Sequence, residues 1–557
     1  MSDPRWTPNW TEGWDPEVGL WWEEGPGHTV AVRGRTRLHT GRESSLRLVQ
    51  AAQLGQLDQL EVGRVLAALR ALQVTAPGPH RGCFRWYWEE TAPQDTNAAF
   101  FTILNLLALH LGYREALDEP SGRLVDAMFA EARVWFTAAV AEASMFYPNK
   151  YLGDLVCAWL LLEITGGEDE GGALAAAMLD AARYWQETGW GWGEHLSDGY
   201  GTVCLRELSL LLLFAQRLPA AVRETYRSLL AELLAIEDAF AAGPRVPALR
   251  SYAFSASPTH SNYRDRVRPL ATGEAPELEH LFAAHGWHEL VGPRAAASVE
   301  ITIPCFDDTR AVAQCRPDIR LGSVTRFPLM PVAEHDTWGL AWQSFPVCLW
   351  RPEGDWGFLQ WEVQAGDRVG AHPATGSFHT SYGNAALATG IQPPVFGRTW
   401  TIQHGGNLVA LRLLPAIQSD WDRVCDRFRL LEGHAEPVES ATGPGRQLTL
   451  AYPERTVAVA CLPLGGAPEI ALHRAEDRWD WDLTYAGAAL AERRAVVTLW
   501  GLSLDGLGEP PLLAPDRAPL AVPRDPEEQA WQVTWSWPGR TWRLRVDPLA
   551  PEPLTEW

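Results

Sequence analysis

The spacing of apolar residues changes once along this chain, near residue 297, and the change sets what each half can become. Upstream, apolar positions such as Leu46, Val49, Leu57, Leu60, Val65 and Leu69 recur mostly at three- and four-residue steps, the period of a helix with one buried face. Downstream, Val299, Ile301 and Ile303 alternate with Glu300 and Thr302, the period of a half-buried strand. A segment patterned for one period does not satisfy the other, so the two halves form different architectures. At 557 residues the chain also exceeds the roughly 250–300 residues at which a single core stops growing.

In the first half the pattern predicts helices over roughly 95–112, 120–144, 149–165, 169–188, 201–217 and 219–241. Asp95 and Thr96 are N-cap candidates for the first of these, and Gly166 and Gly167 close the third. The loops between are short, which favours antiparallel neighbours. At least three of the helices are apolar on more than one face (among them Leu104, Leu106, Leu107 and Leu109; Leu208 and Leu210 to Leu213), as expected of helices buried between layers. An α/α toroid, incomplete or complete, fits that pattern. In the second half, strands are predicted at 338–350, 357–364, 399–414, 446–452, 456–462, 495–501 and 530–546. Turns are expected at Gly465-Gly466, Asp505-Gly506 and Pro538-Gly539. This spacing predicts a large antiparallel β-sandwich. The expected fold class is therefore α then β. An irregular Trp-rich lead-in covers 1–40, a toroid domain 41–295 and a sandwich domain 296–557.

Composition narrows the function. The net charge of −22 disfavours nucleic acid and anionic membranes as partners. The longest mostly apolar run, Phe100 to Leu111, is too short to cross a bilayer. The N-terminus has no basic start followed by an apolar stretch, and none of the eight cysteines lies in a CxxC pair, so a cytoplasmic protein with buried thiols is expected. His288-Glu289 lacks the second histidine of HExxH, and no GxGxxG, GxxxxGK or GxSxG sits in its required context. No metal and no cofactor is expected.

Four segments of the helical half concentrate chemistry. Residues 82–97 place Trp86 and Trp88 beside Arg85, Glu89, Glu90, Asp95 and Asn97, a candidate wall for stacking a sugar. Asn149 sits at a helix start, where it can cap the helix or bind an anion. The loop 190–201 carries Trp190, Trp192, Glu194, His195 and Tyr200 among glycines, with a histidine suited to proton exchange. Residues 245–268 hold five arginines, Arg250 and Arg264 among them, against Asp265 alone, together with His260, Asn262 and Tyr263. Guanidinium forks match carboxylates, so this local reversal of charge suggests an anionic ligand. In the β half, His372, His379, Tyr382, His404 and Asn407 lie near turns.

The order Asn149, His195, Tyr200-Gly201, Arg250 resembles that of the (α/α)-toroid polysaccharide lyases, which include the chondroitin AC and hyaluronate lyases and the heparinase II/III-like group. The resemblance extends to the order of the domains. It implies β-elimination at a uronic acid of an anionic oligosaccharide or polysaccharide. In that scheme Asn149 and Arg250 or Arg264 neutralise the substrate carboxylate, Tyr200 or His195 takes the proton, and Tyr200 returns one to the leaving oxygen. Trp86, Trp88, Asn97, Trp190, Trp192, Glu194, His260, Asn262, Tyr263 and Arg264 would bind the glycan. Two alternatives stand beside it. One is a glycoside hydrolase drawing paired carboxylates from Glu89, Glu90, Asp95, Glu194 and Asp198. The other is a carbohydrate-binding or scaffold protein without turnover.

Overall fold

The computed structural model describes the chain except residues 1–6, 26, 28, 33, 192, 241–242, 252–256, 259–261, 330–343, 372–396, 443–444, 507–510, 516–527 and 557. It divides into two compact units. The first comprises Met1–His195, Gly199–Ala242 and Ser261–Ala296; the second comprises Leu196–Asp198, Gly243–His260 and Ala297–Trp557. The second unit thus includes two short pieces of the first half as well as everything after residue 296.

Helices α1 (Gly41–Gln53), α2 (Val62–Leu72), α3 (Asn97–Tyr113), α4 (Glu119–Ala141), α5 (Pro148–Ile164), α6 (Ala173–Thr188), α7 (Asp198–Phe214) and α8 (Ala220–Phe240) account for most of the first unit. The apolar positions from Leu46 to Leu69 fall mostly on two helices, because Gly55 takes a left-handed conformation (φ 66°) that ends the first. Thr96 holds the N-cap position of α3 without a side-chain capping bond, and Asp95, one residue earlier, accepts the Asn97 N–H on Oδ1 at 2.9 Å. Asp118 caps α4, its Oδ1 accepting the Ser121 N–H at 2.8 Å. Helices α3 and α5 are buried on nearly every side, whereas α2, α4, α6 and α8 each keep a solvent face. Accordingly α3 packs on α1 and α5, α4 on α2 and α5, and α6 on α5 and α8. After α8 come three short helices that periodicity did not signal, Tyr263–Arg266, Glu279–Ala283 and Trp287–Val291. The lead-in, expected to be irregular, carries a small antiparallel sheet of Trp14–Asp15, Leu20–Glu24 and Arg37–His39. His39 bridges Asp15 (3.1 Å) and Glu89 (2.6 Å), tying that sheet to the 82–90 segment.

The second unit holds antiparallel sheets of nine, seven and four strands among the described residues. Strand Asn407–Leu414 explains their stacking. Its residues alternate between two cores, Leu408 and Ala410 facing one and Val409 and Leu411 the other. The first core joins it to Ile319, Leu321 and Phe428 of the nine-stranded sheet, and the second to Trp535, Trp542 and Leu544 of the four-stranded sheet. The seven-stranded sheet is therefore the middle of three layers, one more than a simple sandwich. That is why this strand reads as a continuous apolar run. The expected turn at Pro538-Gly539 lies between paired strands, and Gly405-Gly406, which was not among the expected turns, splits the predicted segment 399–414 into a second hairpin. Among the described residues no helix is long and apolar enough to cross a membrane.

Candidate active site

Helix α5 opens on Pro148, whose missing N–H costs nothing in the first turn. The next residue, Asn149, donates from its backbone N–H to Glu194 Oε2 (3.1 Å) and from Nδ2 to Glu194 Oε1 (2.7 Å). Both residues are buried. A carboxylate here satisfies an orphan N–H and faces the positive end of the helix dipole. Asn149 is thus not the cap of its own helix. Glu194 caps it from the distant loop and fastens that loop to the start of α5.

The loop reaches this position through three consecutive left-handed residues, Gly189 (φ 66°), Trp190 (φ 63°) and Gly191 (φ 66°). At Gly191 a Cβ would lie 2.8 Å from the Phe146 carbonyl oxygen, so the close approach of the two backbones requires glycine. The turn drives Trp190 inward. Its ring stacks on Trp185 (5.6 Å between centroids, 2° between planes), and Nε1 donates to Glu232 Oε1 at 3.0 Å. His195 also stacks on Trp190, at 6.4 Å between centroids, and is 1% exposed. Tyr200, in the first turn of α7, is half-buried. The Asn149–Glu194 hydrogen bonds therefore join the two segments that carry Asn149, His195 and Tyr200, all of them in the helical unit.

A buried acid cluster lies inward of this junction. Lys150 pairs with Asp154 one turn along α5. Glu207 of α7 is fully buried, neither carboxyl oxygen has a hydrogen-bond partner, and a Cβ at Gly153 would come within 2.7 Å of its Oε1. Burial, reinforced by the charges of Asp154 and Glu194, holds the Glu207 carboxyl well above the usual carboxylate range. The folded chain therefore keeps this proton at pH values where the unfolded chain, with an ordinary pKa of 4.5, has lost it. Folding stability then falls as pH rises above that value, until Glu207 ionises in the folded state too. Glu207→Leu should flatten this fall and stabilise the protein at neutral pH by about 1–3 kcal/mol, the cost of an unmet buried polar group. Chemical unfolding of both proteins across a pH series checks it, and parallel pH profiles would contradict it.

The other expected site residues take different roles. Trp190 is a core residue and offers no face to a sugar. Asn262 caps the short helix Tyr263–Arg266 and donates to the Glu237 carbonyl at 3.2 Å. Tyr263 is fully buried, its hydroxyl donating to Ser209 Oγ at 3.4 Å, and burial pushes its phenol far above the usual range. Arg264 Nε meets both Asp238 oxygens (3.1 and 3.0 Å), Arg266 meets Glu277 (2.6 Å) and Arg268 pairs with Glu274. Three of the five arginines are thus paired with acids, Glu274 and Glu277 just downstream and Asp238 on α8. Arg250 belongs to the other unit. It is buried with φ at 45°, its carbonyl accepts Ser197 Oγ–H at 2.9 Å, and its N–H donates to Ser344 Oγ at 3.1 Å. Asn97 donates to the Tyr147 hydroxyl at 3.2 Å. Trp86 and Trp88 are half-buried, Trp86 edge-on to Phe101 at 5.7 Å and Trp88 beneath Arg85. In the β unit, Asn407 Oδ1 accepts Ser503 Oγ–H at 2.7 Å and His404 pairs with Glu556 at 3.4 Å. Trp192, His260, His372, His379 and Tyr382 lie outside the described residues.

The carboxylates of the hydrolase alternative are occupied as well. Glu89 holds His39 at 2.6 Å. Glu90 accepts Thr29 Oγ1–H at 2.6 Å and the N–H groups of Trp86 and Tyr87 at 2.8 and 3.2 Å.

No family model matches this sequence, and no curated protein does. Among solved structures, heparinase III aligns over 94% of this chain and 85% of its own, with 10% identity and a TM-score of 0.49. A mutant of the heparan sulfate lyase HepC from Pedobacter heparinus aligns over 91% of this chain and 82% of its own, with 10% identity and a TM-score of 0.36. Likenesses this distant fix neither the chemistry nor the site of this chain.

Proposed function

We propose that this chain is a polysaccharide lyase that cleaves a uronic-acid-containing glycan by β-elimination, and that its helical unit is an α/α toroid, incomplete or complete. The observation that carries the reading is the pair of hydrogen bonds from Asn149 to Glu194, which fastens the loop of His195 and Tyr200 to the start of α5. The reaction removes the proton from the carbon bearing the substrate carboxylate. That electron pair forms the new C=C bond as the neighbouring C–O bond breaks, and the departing oxygen takes up a proton. Tyr200, the half-buried member of the trio, takes the first proton and supplies the second. His195, stacked on Trp190, is the positioning partner of the loop. Asn149 positions the loop through its backbone N–H and one of its two amide N–H groups, both donated to Glu194.

The burial of His195 favours a second reading, a glycan-binding protein without turnover. Ultraviolet absorbance separates the two during incubation with alginate, hyaluronan, chondroitin, heparan and glucuronan polymers and their oligomers, with reducing ends assayed in parallel. An unsaturated product supports the lyase. Reducing ends without absorbance indicate hydrolysis, and binding with neither signal supports the second reading.

A further inference from the structure

Within the helical unit, α1, α3, α7 and the 266–278 segment enclose a cavity of about 240 Å³. That is below the roughly 300–1,000 Å³ of sites for drug-sized ligands, and suits about one sugar ring. Its polar lining comes from Arg42 and Gln50 on α1, Asn105 on α3, Arg206 on α7, and Arg266 with Glu277; Phe101 is its aromatic wall. Arg206 pairs with Glu279 behind the lining and Arg266 with Glu277, so Arg42 supplies the excess positive charge of the cavity.

The guanidinium groups differ in what they have left to give. Arg206 spends Nε and Nη2 on one oxygen of the buried Glu279 (3.2 and 2.7 Å), which fixes the fork and leaves Nη1 available. Arg42 forms no ion pair among the described residues. It is exposed and lies over the Phe101 ring at 5.0 Å, so it is held by an aromatic face that leaves its charge uncompensated. Asn105 fixes the backbone beneath it by donating to the Arg42 carbonyl at 3.1 Å. Gln50 donates from Nε2 to the Pro276 carbonyl at 3.0 Å, while its Oε1 is buried without a hydrogen-bond partner. The cavity therefore combines unspent guanidinium donors for a carboxylate, an unsatisfied acceptor for a hydroxyl, and apolar walls at Phe101 and Leu104 for a C–H face.

We propose that this cavity binds a single uronate ring, with its carboxylate on Arg42 and Arg206 and a hydroxyl on Gln50 Oε1. Val203, which lines the cavity, lies one turn along α7 from Tyr200, so the site borders the residue assigned to proton transfer. That adjacency and the choice of a uronate among carboxylated ligands rest on the lyase reading; binding does not require turnover.

The test is isothermal titration of the full chain with D-glucuronate and with D-glucose, for the wild type, Arg42→Met and Arg47→Met. Arg47 pairs with Glu43 at 3.0 Å and does not line the cavity. Glucuronate should bind saturably and glucose at least about tenfold more weakly. Arg42→Met should weaken glucuronate by about tenfold or more, and Arg47→Met should leave it unchanged. Thermal melting checks that the exposed substitution leaves the fold intact. Absence of glucuronate binding, equal binding of glucose, or an unaffected Arg42→Met would each overturn the assignment. Glucuronate binding without an unsaturated product would sink the lyase reading alone, and lyase activity without glucuronate binding would sink this site alone.

Discussion

Tyr200→Phe should lower kcat on the cleaved glycan by about 10²–10⁴-fold, the usual contribution of a positioned general acid or base, with KM little changed. The substitution keeps the ring and removes only the hydroxyl, so binding through the rest of the site survives. Tyr200 is half-buried in the first turn of α7, where its neighbours His195 and Glu194 are fully enclosed. It is thus the member of the junction with access to a bound glycan. The measurement is the initial rate of ultraviolet absorbance from the unsaturated product, together with a melting curve. Full activity in Tyr200→Phe would remove this residue from the chemistry and leave His195 to account for proton transfer from a closed position.

The second large effect concerns the β unit. Arg412 of the middle sheet and Asp426 of the nine-stranded sheet form a buried ion pair at 2.7 Å, and Trp500 Nε1 donates to the other Asp426 oxygen at 2.8 Å. Removing one partner strands a charge that water cannot reach. Asp426→Leu should therefore destabilise the protein by about 3–5 kcal/mol. Replacing both, in Arg412→Met with Asp426→Leu, should recover most of that loss, because two apolar side chains leave no isolated charge. Recovery should stop short of complete, since the Trp500 donor still lacks its acceptor, at a cost of about 1–3 kcal/mol. Denaturant unfolding of the two single variants and the double variant yields the coupling directly. Additive losses would mean that the pair does not act as a unit.

Several elements were legible in the sequence because they need only a local pattern. The alternation at Ile301 and Ile303 reappears as the buried positions of the strand Glu300–Phe306. The apolar run of α3 reappears as one of the most enclosed helices, and Leu208 and Leu210 to Leu212 of α7 are buried. Where the pattern was broken, prediction failed for a physical reason. The strands Arg423–Leu431 and Arg478–Ala486 went unrecognised because charges interrupt them. Those charges face one another in register, Arg427 against Asp482 and Arg429 against Asp480, and bond at 2.6 Å in each pair. A charge that reads as solvent-facing in one strand is satisfied across the ladder by the next. The cavity residues Arg42, Gln50 and Arg206 were missed likewise, since each looks like an ordinary helix-surface residue until α1, α3 and α7 enclose them.

The sequence by itself determined the period of each segment, and with it the helical first half, the strand-built second half and many of the turns. Only the tertiary structure decided which polar groups remain available. It committed Asn149 to Glu194, turned Trp190 into the core and paired Arg264 with Asp238. Period is a property of neighbours along the chain. The pairing of a donor with an acceptor 45 residues away, as in Asn149 and Glu194, depends on how the helices pack, and no local pattern encodes it.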